Sequence, residues 1–114
     1  MYTADFHIKS ILADQVIDIA LLTIELNNVV KTNNCNVPKK FYTRVDSVLA
    51  YVHSLFVDYS NNKLNLSQVD EKEIVLMNKL IEYRNSYRFN SYGYQLFNSM
   101  YDVIKETFIK YNNI

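Results

Sequence analysis

A chain of 114 residues with a single glycine, Gly93, and a single proline, Pro38, has little from which to build tight turns. An antiparallel sheet protein of this size reverses direction every ten residues or so, and those reversals draw on Gly, Pro and Asn. Asn is plentiful here but gathers in a few places instead of recurring. The chain is therefore expected to run in a few long elements, and its apolar spacing says which kind.

Four stretches carry apolar residues at every third or fourth position, the period of a helix with one dry face. The first runs from about Ala4 to Lys31, with Ile8, Leu12, Val16, Ile19, Thr23, Leu26 and Val30 as its seam. Ile17, Leu21 and Ile24 are read as widening that face, as in a helix touching two neighbours. Thr32-Asn33-Asn34-Cys35-Asn36 ends it, because such side chains compete for backbone hydrogen bonds. Pro38 fits the first turn of the second helix, whose seam is Phe41, Val45, Val48, Leu49, Val52, Leu55, Phe56 and Tyr59. Ser60-Asn61-Asn62 stops it, and Leu64 and Leu66 pin the linker that follows.

Ser67 with Asp70, or Asp70 with Glu73, offers a capping-box start for the third helix. Its acids Asp70, Glu71 and Glu73 are placed in the first turn, where the helix dipole favours negative charge. Its seam reads Val69, Ile74, Met77, Leu80 and Ile81. The joint Asn90-Ser91-Tyr92-Gly93 puts the glycine where a positive φ is expected. A fourth helix follows with Tyr94, Phe97, Met100, Tyr101, Ile104, Phe108 and Tyr111 on one face. Short joints favour antiparallel neighbours, so the expected fold is an all-α, antiparallel four-helix bundle forming one domain over residues 1–114.

Several functional classes find no support. The 12 Lys and Arg balance the 12 Asp and Glu, which argues against a general nucleic-acid binder and leaves RNA as a partner without support from net charge. His7 and His53 lie on different helices with one cysteine between them, so neither a metal site nor a cofactor is expected. Cys35 sits among asparagines with no histidine near it and is read as an inert thiol in a reducing compartment. No apolar run approaches the roughly 20 residues of a membrane span, and nothing resembles a signal peptide, so a cytoplasmic location is expected. Most of the ten tyrosines fall on apolar seams, where they extend a core.

One segment breaks the pattern. Continued from Met77 through Ile81, the third seam lands on Arg84 and then Arg88. A charged group on a seam is costly unless paired or wetted, so Arg84, Asn85, Tyr87 and Arg88 form the candidate binding site. The plainer reading has Arg84 tying helix ends together through a carboxylate or C-terminal carbonyls.

The stretch Leu80-Ile81-Glu82-Tyr83-Arg84-Asn85, followed by a short joint and an amphipathic helix, resembles the HEPN superfamily over the last third of the chain. The resemblance implies a small helical bundle, often dimeric, whose relatives include metal-independent ribonucleases of toxin–antitoxin and antiviral systems. Arg84 and Asn85 match the first two positions of the HEPN motif. The histidine that should follow near Phe89, Asn90 or Ser91 is absent, which removes the usual proton-transfer group. The leading expectation is thus a non-catalytic helical protein that binds a protein partner or itself. The alternatives are a HEPN-type ribonuclease using atypical groups such as Tyr92 or Tyr94, and a protective or inhibitory protein of the bacteriocin-immunity or phage-inhibitor kind.

Overall fold

The computed structural model describes residues 3–33 and 37–113. Its elements are α1 (Thr3–Asn33), α2 (Lys39–Ser60), α3 (Leu66–Asn85) and α4 (Tyr92–Asn112). They form an all-α four-helix bundle of 51 × 23 × 21 Å. Each helix packs on its sequence neighbour, and α1 closes the ring against α4. The α3–α4 pair is the tightest and α2–α3 the loosest. The last turns of α1 and α3 and the first turns of α2 and α4 lie at one end of the bundle, and the α2–α3 joint lies at the other.

Local chemistry sets the boundaries. Pro38 stands one position before the first helical residue of α2, at the N-cap, and not inside the first turn. Past the end of α2, Asn62 adopts φ 62°. The Lys63 N–H bonds the Asp58 carbonyl at 2.8 Å and the Asn62 N–H bonds the Tyr59 carbonyl at 3.1 Å, a Schellman closure. The start of α3 differs from the sequence expectation. Asn65, not Ser67 or Asp70, is its N-cap, with the Asn65 side chain accepting from the Gln68 N–H and the Gln68 side chain accepting from the Asn65 N–H, both at 2.9 Å. Starting at Leu66, α3 has no acid in its first turn.

Gly93 also departs from expectation. It is a buried residue inside α4 with an ordinary helical φ, and the left-handed position in that joint belongs to Asn90 at φ 63°. Glycine is needed at 93 for space. A Cβ there would lie 2.9 Å from two ring carbons of Tyr87 and 3.0 Å from Phe41.

The seams of α2 and α4 are buried as their spacing indicates, with Val45, Val52, Phe97, Met100 and Ile104 at or near zero exposure. Leu64 is partly buried against the lower core. The register of α3 is shifted: Val69, Glu73, Leu76 and Leu80 face inward, while Ile74 is 45 % exposed. The widening proposed for α1 fails too. Its inward face is Ile8, Ile11, Leu12, Gln15, Ile19 and Leu26, and Ile17, Leu21 and Ile24 remain 54 %, 58 % and 55 % exposed. At 3.6 residues per turn these three fall roughly opposite the buried seam, beyond the reach of α2 and α4.

The interior has two apolar clusters. The larger holds Ile19, Phe41, Val45, Leu76, Leu80 and Phe97, and the smaller holds Ile8, Leu12, Tyr59, Val69 and Tyr111. Between them, Gln15 follows Leu12 on α1 and Glu73 follows Val69 on α3. The Gln15 amide donates to a Glu73 carboxylate oxygen at 2.8 Å. Glu73 is fully buried, and its second oxygen, the Gln15 carbonyl and the Tyr111 hydroxyl make no hydrogen bond among the described residues. Burial pushes the Glu73 carboxyl up to about 7; the Gln15 hydrogen bond opposes that rise and the charge of Asp70 adds to it. At the N-terminal end of α1, the Tyr59 hydroxyl donates to Asp5 at 2.8 Å.

Candidate functional site

The candidate segment sits where α3 stops. Ser86 caps the helix, with its backbone N–H on the Tyr83 carbonyl and its hydroxyl donating to the same oxygen at 2.7 Å. The chain then turns through Arg88, Phe89 and Asn90 to Ser91, whose hydroxyl accepts from the Tyr94 N–H at 3.2 Å and caps α4.

Arg84 is half-buried and points at α4. One Nη donates to the side-chain oxygen of Asn98 at 2.9 Å, and Nε donates to Asn85 at 3.2 Å. The guanidinium lies 5.4 Å from the Tyr94 ring and 6.0 Å from the Tyr101 ring, so two electron-rich faces shelter the cation. Arg84 thus ties the end of α3 to the body of α4 through a neutral amide and tyrosine rings, and not through the expected carboxylate or C-terminal carbonyls. The full positive charge is therefore left uncompensated.

Arg44, which the sequence did not single out, mirrors this arrangement on α2. Its Nη1 donates to the Ser86 hydroxyl at 2.7 Å and to the Tyr87 hydroxyl at 3.3 Å. It lies over the Tyr83 ring at 4.8 Å and the Tyr87 ring at 5.6 Å. Tyr87 itself belongs to the interior: it stacks on Phe97 at 5.6 Å and meets Phe41 edge-on at 5.4 Å. Only its hydroxyl side serves the surface. A cleft of about 160 Å³ opens between Pro38 with Lys40, Phe41 and Arg44 of α2 on one side and Ser86 and Tyr87 beyond α3 on the other. Arg88 and Asn85 are exposed, and Phe89 is 71 % exposed, with its ring in T-shaped contact with Tyr94 at 5.1 Å.

Charge is distributed unevenly along the bundle. Residues 26–45 and 83–101, the described part of which builds this end, contain no Asp or Glu. They hold Lys31, Lys39, Lys40, Arg44, Arg84 and Arg88, half of the 12 Lys and Arg. Among the described residues the ion pairs are Lys9–Asp5 and Lys79–Glu82, so neither Arg44, Arg84 nor Arg88 meets a carboxylate. The N-terminus of α2 adds to the positive potential, because Pro38 supplies no side-chain cap to its free N–H groups. A net charge of zero concealed this polarity from composition. The two acid-free stretches were visible in the sequence, but their meeting at one end follows from the alternating direction of the helices.

Tyr92, one of the groups considered for proton transfer, has its phenol pushed further up by burial and by the charge of Glu25, away from neutral pH. His7 and His53 are exposed on α1 and α2. Cys35 lies outside the described residues. No protein-family model, curated protein or solved structure matches this chain.

Proposed function

We propose that this chain is a small non-catalytic helical interaction protein that takes an acidic protein partner at the acid-free end of the bundle. The observation that carries the reading is the set of arginines there without carboxylates, two of them lying over tyrosine rings. Holding them costs the partner little ordering entropy, since Arg44 and Arg84 are already fixed by hydrogen bonds. Phe89 supplies an exposed aromatic anchor beside Arg84 and Arg88, and aromatic and arginine side chains dominate the energetics of protein interfaces. In this reading the HEPN-like pair Arg84-Asn85 is a binding element in place of a nuclease centre. A protective or inhibitory protein would work in the same way, by covering its target.

The interleaving of arginine and tyrosine also favours a second reading, a single-stranded RNA whose bases stack on the rings. Fluorescence anisotropy separates the two. The probes are a 12-residue Asp/Glu-rich peptide with one central aromatic residue and a 12-nucleotide single-stranded RNA. The expected result is peptide binding that weakens with salt and falls about tenfold or more in Arg84→Ala/Arg88→Ala, as for paired charges at an interface. Tighter binding of RNA, or RNA cleavage that Arg84→Ala abolishes, would overturn the proposal.

A further inference from the structure

The outer face of α1 carries an apolar stripe that the bundle does not use. Phe6 is 74 % exposed, and Ile17, Leu21 and Ile24 are each more than half exposed. Helical spacing brings all four within about 60° of one another; Ile17, Leu21 and Ile24 adjoin over about 10 Å of helix, and Phe6 stands about 16 Å further along, past Ser10 and Ala13. Isolated exposed apolar residues are ordinary, but three adjoining ones opposite the core, in line with a fourth, mark a contact surface.

Charge says what kind of surface. Asp14, Asp18 and Glu25 are exposed along one edge of the stripe. Along the other edge it runs into a shallow apolar groove between α1 and α2, where Ala20 and Ala50 permit close approach and Asp46 stands on the rim. Between residues 6 and 25 the single Lys or Arg is Lys9, and that ammonium is already engaged by Asp5 at 3.1 Å. The stripe is thus greasy in the middle and negative on both sides.

A second copy fits this surface poorly. The dyad relating two antiparallel α1 helices keeps each edge on its own side, so Asp14, Asp18 and Glu25 of both copies would share one flank. A parallel pair would instead set Lys31 against Lys31 where the seam continues. Like charges so placed oppose association. The complementary occupant is an amphipathic helix with an aliphatic seam and lysine or arginine flanks, laid along α1 by the helix-on-helix mode of recognition.

We infer that the outer face of α1 is a docking surface for a basic amphipathic helix of a partner protein, distinct from the acid-free end. The chain would then join two partners of opposite charge. The test uses the full chain and two 18-residue synthetic helical peptides with the same leucine seam, one flanked by lysines and one by glutamates. Anisotropy titration at low salt should show the lysine peptide binding about tenfold or more tighter than the glutamate peptide. Ile17→Ser/Leu21→Ser should remove that binding with an unchanged melting curve, since both residues are exposed. Arg84→Ala/Arg88→Ala should leave it intact, which keeps this surface separable from the function proposed above. Equal affinity for the two peptides, or binding that survives Ile17→Ser/Leu21→Ser, overturns the inference. So does a dimer in light scattering that Ile17→Ser/Leu21→Ser makes monomeric, because the stripe would then belong to a second copy.

Discussion

Gln15 of α1 and Glu73 of α3 share a 2.8 Å hydrogen bond at the boundary between the two apolar clusters, where the α4 seam also carries a polar residue, Thr107, between Ile104 and Tyr111. One amide donor is thin compensation for a buried carboxylate, which explains why the group gives up its charge near neutral pH.

Stability should therefore depend on pH in a defined sense. Glu73 has its carboxyl raised from an ordinary 4.5 to about 7 in the folded state, so the folded protein holds this proton more tightly than the unfolded chain. The contribution is fully present below about 4.5 and is lost as pH climbs to about 7, amounting to roughly 3 kcal/mol. Urea melts at pH 5, 6, 7 and 8 should show stability falling along the series. Glu73→Gln should flatten this dependence and raise stability at pH 8. A wild-type protein equally stable at pH 5 and pH 8 would contradict the assignment.

Gly93 gives a prediction opposite in sign to helix propensity. Alanine in a helix is favoured over glycine by about 1 kcal/mol, yet a methyl at 93 collides with the Tyr87 ring at 2.9 Å. Gly93→Ala should destabilise by roughly 1–3 kcal/mol, the range for overpacking. In a Tyr87→Ala background the same change should cost less, because only the 3.0 Å approach to Phe41 remains. A thermal double-mutant cycle with no coupling between the two positions would show that the contact does not limit the site.

The start of α3 separates two serine- and asparagine-based caps. Asn65→Ala removes the side-chain acceptor of the Gln68 N–H, leaves the Gln68 side chain on the backbone N–H of position 65, and should cost about 1 kcal/mol. Ser67→Ala should change chemical denaturation by less than about 0.5 kcal/mol, as at an ordinary surface position. The reverse order of effects would return the helix start to the later residue.

Core truncation should follow depth. Ile104 is fully buried, so Ile104→Ala is expected to cost roughly 2–5 kcal/mol. Phe56 is only partly buried beside the smaller cluster, and Phe56→Ala should cost less than the same truncation at Phe97. Equilibrium unfolding of the three variants orders them directly.

These residues also show what the sequence conveys. Helix number, helix type and the dry faces of α2 and α4 are legible because apolar spacing reports backbone period and little else. Glu73 was misread since a glutamate near a helix start looks like a dipole partner. The spacing Val69, Glu73, Leu76, Leu80 does contain the correct register, but one must accept an acid on the seam to see it. Ile17, Leu21 and Ile24 failed for a different reason: being apolar does not say which neighbour, if any, covers a side chain. The candidate site was half visible. Arg84 stood out by interrupting a seam, whereas Arg44 lies 42 residues before Ser86 and no local pattern links them.

The acid-free end makes the bundle an electrical rod. Half of its cations sit at one tip of a 51 Å body with no formal net charge, so the remainder carries the balancing negative excess. Such a molecule feels a torque in the field of an approaching partner before any atoms touch. Encounters would be prealigned, tip foremost, and addition of salt would slow capture by scrambling orientation as well as by weakening attraction.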